Sequence, residues 1–163
     1  MTPTDVDDRH ADRLLIRRAE PGDAEGIGDV WLTSWRATYA FPPAHPDDDV
    51  RRWLARELVP NHETWVAVDP DDDDRVVGLM ALSATMLEQL YVVPDWMGRG
   101  VGRRFLALAK ERRPDGLELY TFVANANARR FYEHHGFTPV AFGDGSTNQE
   151  HEPDVRYAWR PTT

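Results

Sequence analysis

The hydrophobic pattern changes period several times along the chain. Leu14-Leu15-Ile16-Arg17-Arg18 reads as a first strand, stopped by Pro21-Gly22. Asp23 is placed to cap a helix whose apolar positions, Ile27, Val30, Trp31, Ser34 and Trp35, follow the 3.6-residue repeat. The run Phe41-Pro42-Pro43-Ala44-His45-Pro46 breaks it, and a second short helix follows with Val50, Trp53, Leu54 and Leu58 on one face. Strand-like segments then take over: 64–69, 75–84 and 86–93, the first two joined by Pro70 and four consecutive Asp. A helix over about 100–112 turns Val101, Phe105, Leu108 and Ala109 inward and stops at Pro114-Asp115-Gly116. Residues 117–124 form the next strand, and 125–135 a helix with Gly136 just past its end. Segments 137–142 and 155–159 close the sheet as a final hairpin around a polar loop, 143–154. The order β-α-α-β-β-β-α-β-α-β-β predicts an α/β chain: one mixed sheet with helices on its faces.

Composition narrows the class. A length of 163 residues suits one domain, here 14–163, preceded by a polar, acidic tail at 1–13. With 41% hydrophobic residues and six Trp, most of the chain can form a packed core. There is no Cys, so disulfides, thiolate-bound zinc and a catalytic thiol are excluded. The longest nearly apolar run, Val76 to Leu82, falls far short of a bilayer span, and the N-terminus lacks an apolar signal region. The expectation is a cytoplasmic protein with no membrane partner. The four Asp lack the alternating spacing of a calcium loop and read as a solvated turn. The six His form no metal-binding spacing, since His134 and His135 are adjacent.

Charge changes the picture twice. A net charge of -9 argues against nucleic acid as a partner, because a polyanion ligand requires a positive surface. Yet residues 99–113 hold Arg99, Arg103, Arg104, Lys110, Arg112 and Arg113 against Glu111 alone. That cationic segment begins at Gly98, Gly100 and Gly102, between a strand and an amphipathic helix. Glycines allow close backbone approach, and a helix start supplies unpaired N–H groups and a positive dipole end, which together suit phosphate. The spacing is neither G-x-G-x-x-G nor a Walker A loop. A tight structural turn and an ordinary solvated helix face account for the same residues without a ligand.

Two stretches carry a resemblance. Residues 90–110, LYVVPDWMGRGVGRRFLALAK, resemble the acyl-CoA pyrophosphate motif of the GCN5-related N-acetyltransferase (GNAT) superfamily. Residues 122–137, FVANANARRFYEHHGF, resemble its following strand–helix motif. The resemblance implies a central twisted mixed sheet of six to seven strands flanked by about four helices, and acetyl-CoA as co-substrate. It implies a pyrophosphate cradle of backbone N–H groups over Gly98, Arg99, Gly100, Val101, Gly102 and Arg103, with Met97 where the family often has Gln or Arg. It implies that Leu90, Tyr91 and Val92 border the pantetheine arm, that Asn125 contacts the cofactor, and that Tyr132 lies near the thioester sulfur. A homodimer is common in the family.

Transfer of an acetyl group to an amine needs a base. A lysine-like ammonium has a pKa of about 10.4, so neutralising it at pH 7 costs roughly 4.6 kcal/mol. Glu88, two residues before Leu90 and on its face in strict alternation, is the candidate base; a paired or edge-exposed carboxylate is the plainer reading. A backbone N–H near Val92 can polarise the carbonyl, and Tyr132 can hydrogen-bond or protonate the leaving thiolate. Packing explains Tyr132 equally well without the second motif, and Asn125 can be simply an N-cap. The acceptor, a small-molecule or peptide amine, is expected against Trp35, Tyr39, Phe41 and the 42–49 and 143–153 loops, with His45 at their border and Asp47, Asp48 and Asp49 favouring a cation. Direct transfer is expected, without a covalent enzyme intermediate. Two other functions use the same residues: a non-catalytic acyl-CoA sensor or interaction domain, and a nucleotide or polyphosphate binder.

Overall fold

A computed structural model describes residues 10–162. Among the described residues, seven strands and four helices of seven or more residues occupy the segments that the periodicity predicts. In chain order they are β1 (Leu15–Arg18), α1 (Ala24–Thr38), α2 (Asp47–Trp53), β2 (Glu63–Asp69), β3 (Arg75–Leu82), β4 (Leu87–Val92), α3 (Val101–Arg112), β5 (Leu117–Phe122), α4 (Ala126–His134), β6 (Thr138–Gly143) and β7 (Asp154–Trp159). Helix α2 runs on through a π turn, Leu54–Leu58, to Asn61.

The expected mixed sheet is built as two antiparallel sheets, ordered β1-β2-β3-β4 and β5-β7-β6. They meet at one parallel bridge, Met86 with Glu118, where the Glu118 N–H donates to Thr85 O at 3.0 Å. Beyond that bridge β4 and β5 are not paired, and a cleft opens between them. This split is the feature that creates the site.

The core centres on β3, buried at every residue from Val77 to Leu82. Because side chains alternate, continuous burial means that both faces are covered. Helix α1 presses Gly26 against Val76, where an added Cβ would lie 2.7 Å from Val76 Cγ2. Phe105 of α3 sits on Gly78 just as closely. The α1 positions named from periodicity are all buried, as are Val50, Leu54 and Leu58. Trp53 differs: it is 40% exposed, at the rim of the apolar stripe, and faces the cleft.

Of the segment read as a tail, residues 1–9 lie outside the described residues. Residues 10–12 are helical, and the His10 ring meets Asp69 at 3.0 Å and stands edge-on to Trp96. Asp71 pairs with Arg13 at 2.8 Å, while the remainder of the acidic turn is exposed. No described helix is long and apolar enough to cross a membrane.

Candidate active site

The β4–α3 connection gives its three glycines different tasks. Gly98 and Gly100 have φ of +77° and +84°, a region that L side chains rarely adopt. Gly102 instead makes room for a neighbour, since an added Cβ would meet the Phe131 ring at 3.3 Å. The turn leaves the first turn of α3 uncapped by any side chain. Among the described residues, nothing accepts a hydrogen bond from the backbone N–H groups of 98–103. Six consecutive unspent donors at the positive end of a twelve-residue helix form a cradle suited to a pyrophosphate. Met97 stands outside it: its N–H donates to Pro94 O, and its side chain is exposed.

The cations nearby divide into two groups. Arg104 donates to Leu14 O, Lys110 to His135 O, and Arg112 and Arg113 to Glu63. Those four hold the fold together. Arg112 is the largest of the influences that lower the Glu63 carboxyl to about 2. Arg99 lies over the Trp96 ring at 4.8 Å, and Arg103 forms no ion pair among the described residues. The two arginines flanking the glycines therefore keep their charge available to a ligand.

Strand β4 offers an unpaired edge. Its Val93 neighbour donates to Val77 O at 3.0 Å, so by antiparallel alternation Tyr91 also turns its backbone toward β3. Leu90 and Val92 turn theirs to the open side, where Val92 O accepts from Ser34 Oγ at 3.3 Å. Of the three residues expected to border the pantetheine arm, Leu90 and Val92 thus present backbone, while Tyr91 contributes a side chain.

The cleft has a volume of about 790 Å³ and draws its walls from both sheets. Residues Leu87, Glu88, Gln89, Leu90 and Tyr91 all border it, in violation of strict alternation. The reason is a bulge: Leu87 opposes Leu82 and Gln89 opposes Ala81, so Glu88 is the extra residue. A bulge re-aims side chains. The face shared by Glu88, Leu90 and Val92 in simple period-2 counting is therefore broken, and Glu88 stands exposed at the cleft.

The opposite wall carries Asn125 and Tyr132. Asn125 Oδ1 accepts from the Ala128 N–H at 3.1 Å and caps α4, while its Nδ2 donates to the Tyr39 hydroxyl at 3.0 Å. Tyr132 is buried against Phe131, Phe137 and Tyr157 but still borders the cleft. Burial, and then the neighbouring Tyr39, push its phenol well above the ordinary value, so it enters any reaction protonated.

The expected acceptor elements converge here. Trp35, Tyr39, Phe41 and Phe122 form one aromatic cluster with centroids 4.7–5.9 Å apart. The 42–49 and 143–153 loops meet over the cleft, where His45 Nε2 lies 2.8 Å from Gln149 Oε1. Four acidic residues border the cleft, Asp49, Glu88, Glu150 and Asp154, and among the described residues no Lys or Arg does. Sequence reasoning passed over Gln89, whose Oε1 accepts from Trp31 Nε1 at 3.2 Å, and Glu150. No motif marks either one; Glu150 reaches the site only because the β6–β7 loop folds back over it.

Known proteins are similar to this chain in sequence and fold. Residues 60–139 match the family model for the acetyltransferase (GNAT) domain. The chain is 35% identical over 126 residues to the peptidyl-lysine N-acetyltransferase YjaB of Escherichia coli K12, covering 76% of this chain and 82% of the relative. The solution structure of apo YjaB from Escherichia coli superposes with a TM-score of 0.73 at 29% identity, covering 90% of this chain and 97% of that one. The PaiA N-acetyltransferase of Thermoplasma acidophilum, solved in complex with coenzyme A, shares the fold at a TM-score of 0.69 and 18% identity, covering 91% and 99%.

Proposed function

The chain belongs to the GNAT acetyltransferase family and is an acetyl-CoA-dependent N-acetyltransferase, and we propose that its acceptor is the side-chain amine of lysine in a peptide or protein. The family and the relatives named N-acetyltransferases support catalysis over the sensor and nucleotide-binder readings. The observation that carries the proposal is the cleft itself, bordered by four acidic residues and aromatic side chains and, among the described residues, by no Lys or Arg. Such a lining attracts an ammonium by charge and by cation–π contact. The relative named a peptidyl-lysine N-acetyltransferase supports the same class. The proposal includes a single acetyltransferase domain over residues 14–163 and a cytoplasmic setting, in keeping with a chain without Cys.

Acetyl-CoA supplies the acetyl group, activated as a thioester. Its pyrophosphate fits the unspent N–H groups of 98–103, with Arg99 and Arg103 adding charge. Leu90 and Val92 border its pantetheine arm through their open backbone groups. Asn125 borders the cleft and orients the Tyr39 hydroxyl. The Glu88 carboxylate takes the proton from the acceptor ammonium, directly or through water. The Val92 N–H lies on the open edge, where it can donate to a carbonyl oxygen. The Tyr132 Oη–H, held protonated by burial, hydrogen-bonds the departing sulfur.

The test is direct. Incubated with acetyl-CoA and a lysine peptide blocked at its N-terminus, the enzyme adds one acetyl group to Nζ, located by fragment mass spectrometry. Acetylation of a free α-amine or of small metabolites, with the blocked lysine peptide untouched, overturns the proposal.

A further inference from the structure

The four cleft carboxylates are not equivalent. Asp49 accepts from Arg52 at 2.9 Å, and Asp154 accepts from Asn148 Nδ2 at 3.2 Å. Glu88 and Glu150 have no hydrogen bond or ion pair among the described residues. They stand on different walls: Glu88 on β4, Glu150 on the loop between β6 and β7. Glu88 is exposed and can be hydrated, but Glu150 is half-buried beneath the loop roof. A half-buried carboxylate without a partner can accept hydrogen bonds from an incoming cation.

Glu150 lines the same cleft as Trp35, Tyr39 and Phe122. Burial is the main reason that the Tyr39 and Tyr91 phenols are raised, and the negative charge of Glu150 adds to both. Glu150 thus shares the cleft with Trp35, Tyr39 and Phe122 of the aromatic cluster. A carboxylate beside aromatic faces suits an ammonium or a guanidinium. The amine that is acetylated is deprotonated and cannot keep a positive charge for both carboxylates. Glu88 is served by water and by the proton it takes from the reacting amine, which leaves Glu150 as the unpaired acid open to a second positive group.

We infer that Glu150 holds a second cationic group of the acceptor, so that the preferred substrate is a lysine beside another basic residue. This rests on the lysine reading above. The residue lies outside both sequence motifs.

The experiment compares N-terminally blocked peptides that differ only beside the lysine, with Arg, Ala or Glu there. The wild-type enzyme prefers the Arg peptide over the Ala peptide by about tenfold in kcat/KM, the size of a charge-assisted contact in a partly desolvated cleft. In Glu150→Gln the preference collapses through a raised KM for the Arg peptide, and Glu150→Lys shifts it toward the Glu peptide. Unchanged acetyl-CoA affinity in both variants establishes that they are folded. An equal Arg-to-Ala ratio in the wild type and Glu150→Gln overturns the inference alone, as does a fall in kcat that is the same for every peptide. A wild-type enzyme that acetylates none of the peptides overturns the lysine reading and this one with it.

Discussion

The glycine loop and the cleft between the sheets are held by opposite kinds of matter. The loop is backbone and positive charge: N–H groups of 98–103, the start of α3, and two arginines not committed elsewhere. The cleft is side chain and negative charge, with aromatic rings and carboxylates contributed by α1, α2, β4, β5, α4 and the β6–β7 loop. The loop is continuous in sequence, whereas the cleft exists only where two sheets part. A backbone cradle tolerates changes in its side chains but not in its dihedral angles. A side-chain cleft behaves in the reverse way.

Four perturbations test that contrast, in falling order of effect. The first removes chemistry from the cleft. Tyr132→Phe lowers kcat by roughly 10²-fold, the usual contribution of a positioned proton donor, and leaves acetyl-CoA affinity in titration calorimetry unchanged. Glu88→Gln falls by a similar order of about 10² at pH 7, but its deficit shrinks as pH rises toward the amine pKa of about 10.4. A pH-independent deficit removes Glu88 as the base. The second changes the cradle's dihedrals. Gly100→Ala strains a residue at φ +84° and weakens acetyl-CoA binding about tenfold, with kcat at saturation little changed.

The third perturbation touches the cradle's charges. Arg103→Ala raises the KM for acetyl-CoA severalfold (about threefold to tenfold) at low salt, and the gap narrows as salt screens it. Arg112→Ala leaves that KM in place, because Arg112 is spent on Glu63 at 2.8 Å. Equal KM effects from the two arginines would dissolve the division between ligand-facing and fold-holding cations. The smallest effect concerns Glu63. Its bonds to Arg112, Trp65 and Arg113 depress its carboxyl from the ordinary 4.5 to about 2. A depressed pKa adds stability above the unfolded value and loses it as pH falls toward the folded one. Between pH 4.5 and 2, thermal unfolding of the wild type therefore loses a contribution that Glu63→Gln never had. Parallel Tm profiles for the two proteins over that range would contradict this.

Both the strand and helix order and the glycine motif are legible in the sequence, because each depends on neighbours along the chain. The 3.6 and 2.0 repeats report burial locally, and Gly98 and Gly100 mark turns that only their own backbones make. The positions that sequence misjudged are those where tertiary contacts intervene. Glu88 leaves its expected face because a bulge inserts it as an unpaired residue against β3. Tyr91 directs its backbone to β3, and Met97 spends its N–H within its own turn. His10 sits against Asp69 and Trp96 rather than free in solvent.

By itself, then, the sequence determined the elements and their order, since these follow from dihedral preference and local periodicity, while its two motifs carried the resemblance to the family. Only the tertiary structure decided which charges remain for ligands. Ion pairs such as Arg112 with Glu63, 49 residues apart, remove cations that composition counts as available. It also decided that the cleft is acidic and aromatic. Pairing of β4 with β5 stops after Met86 and Glu118, and the space left between the sheets gathers carboxylates that no sequence window contains.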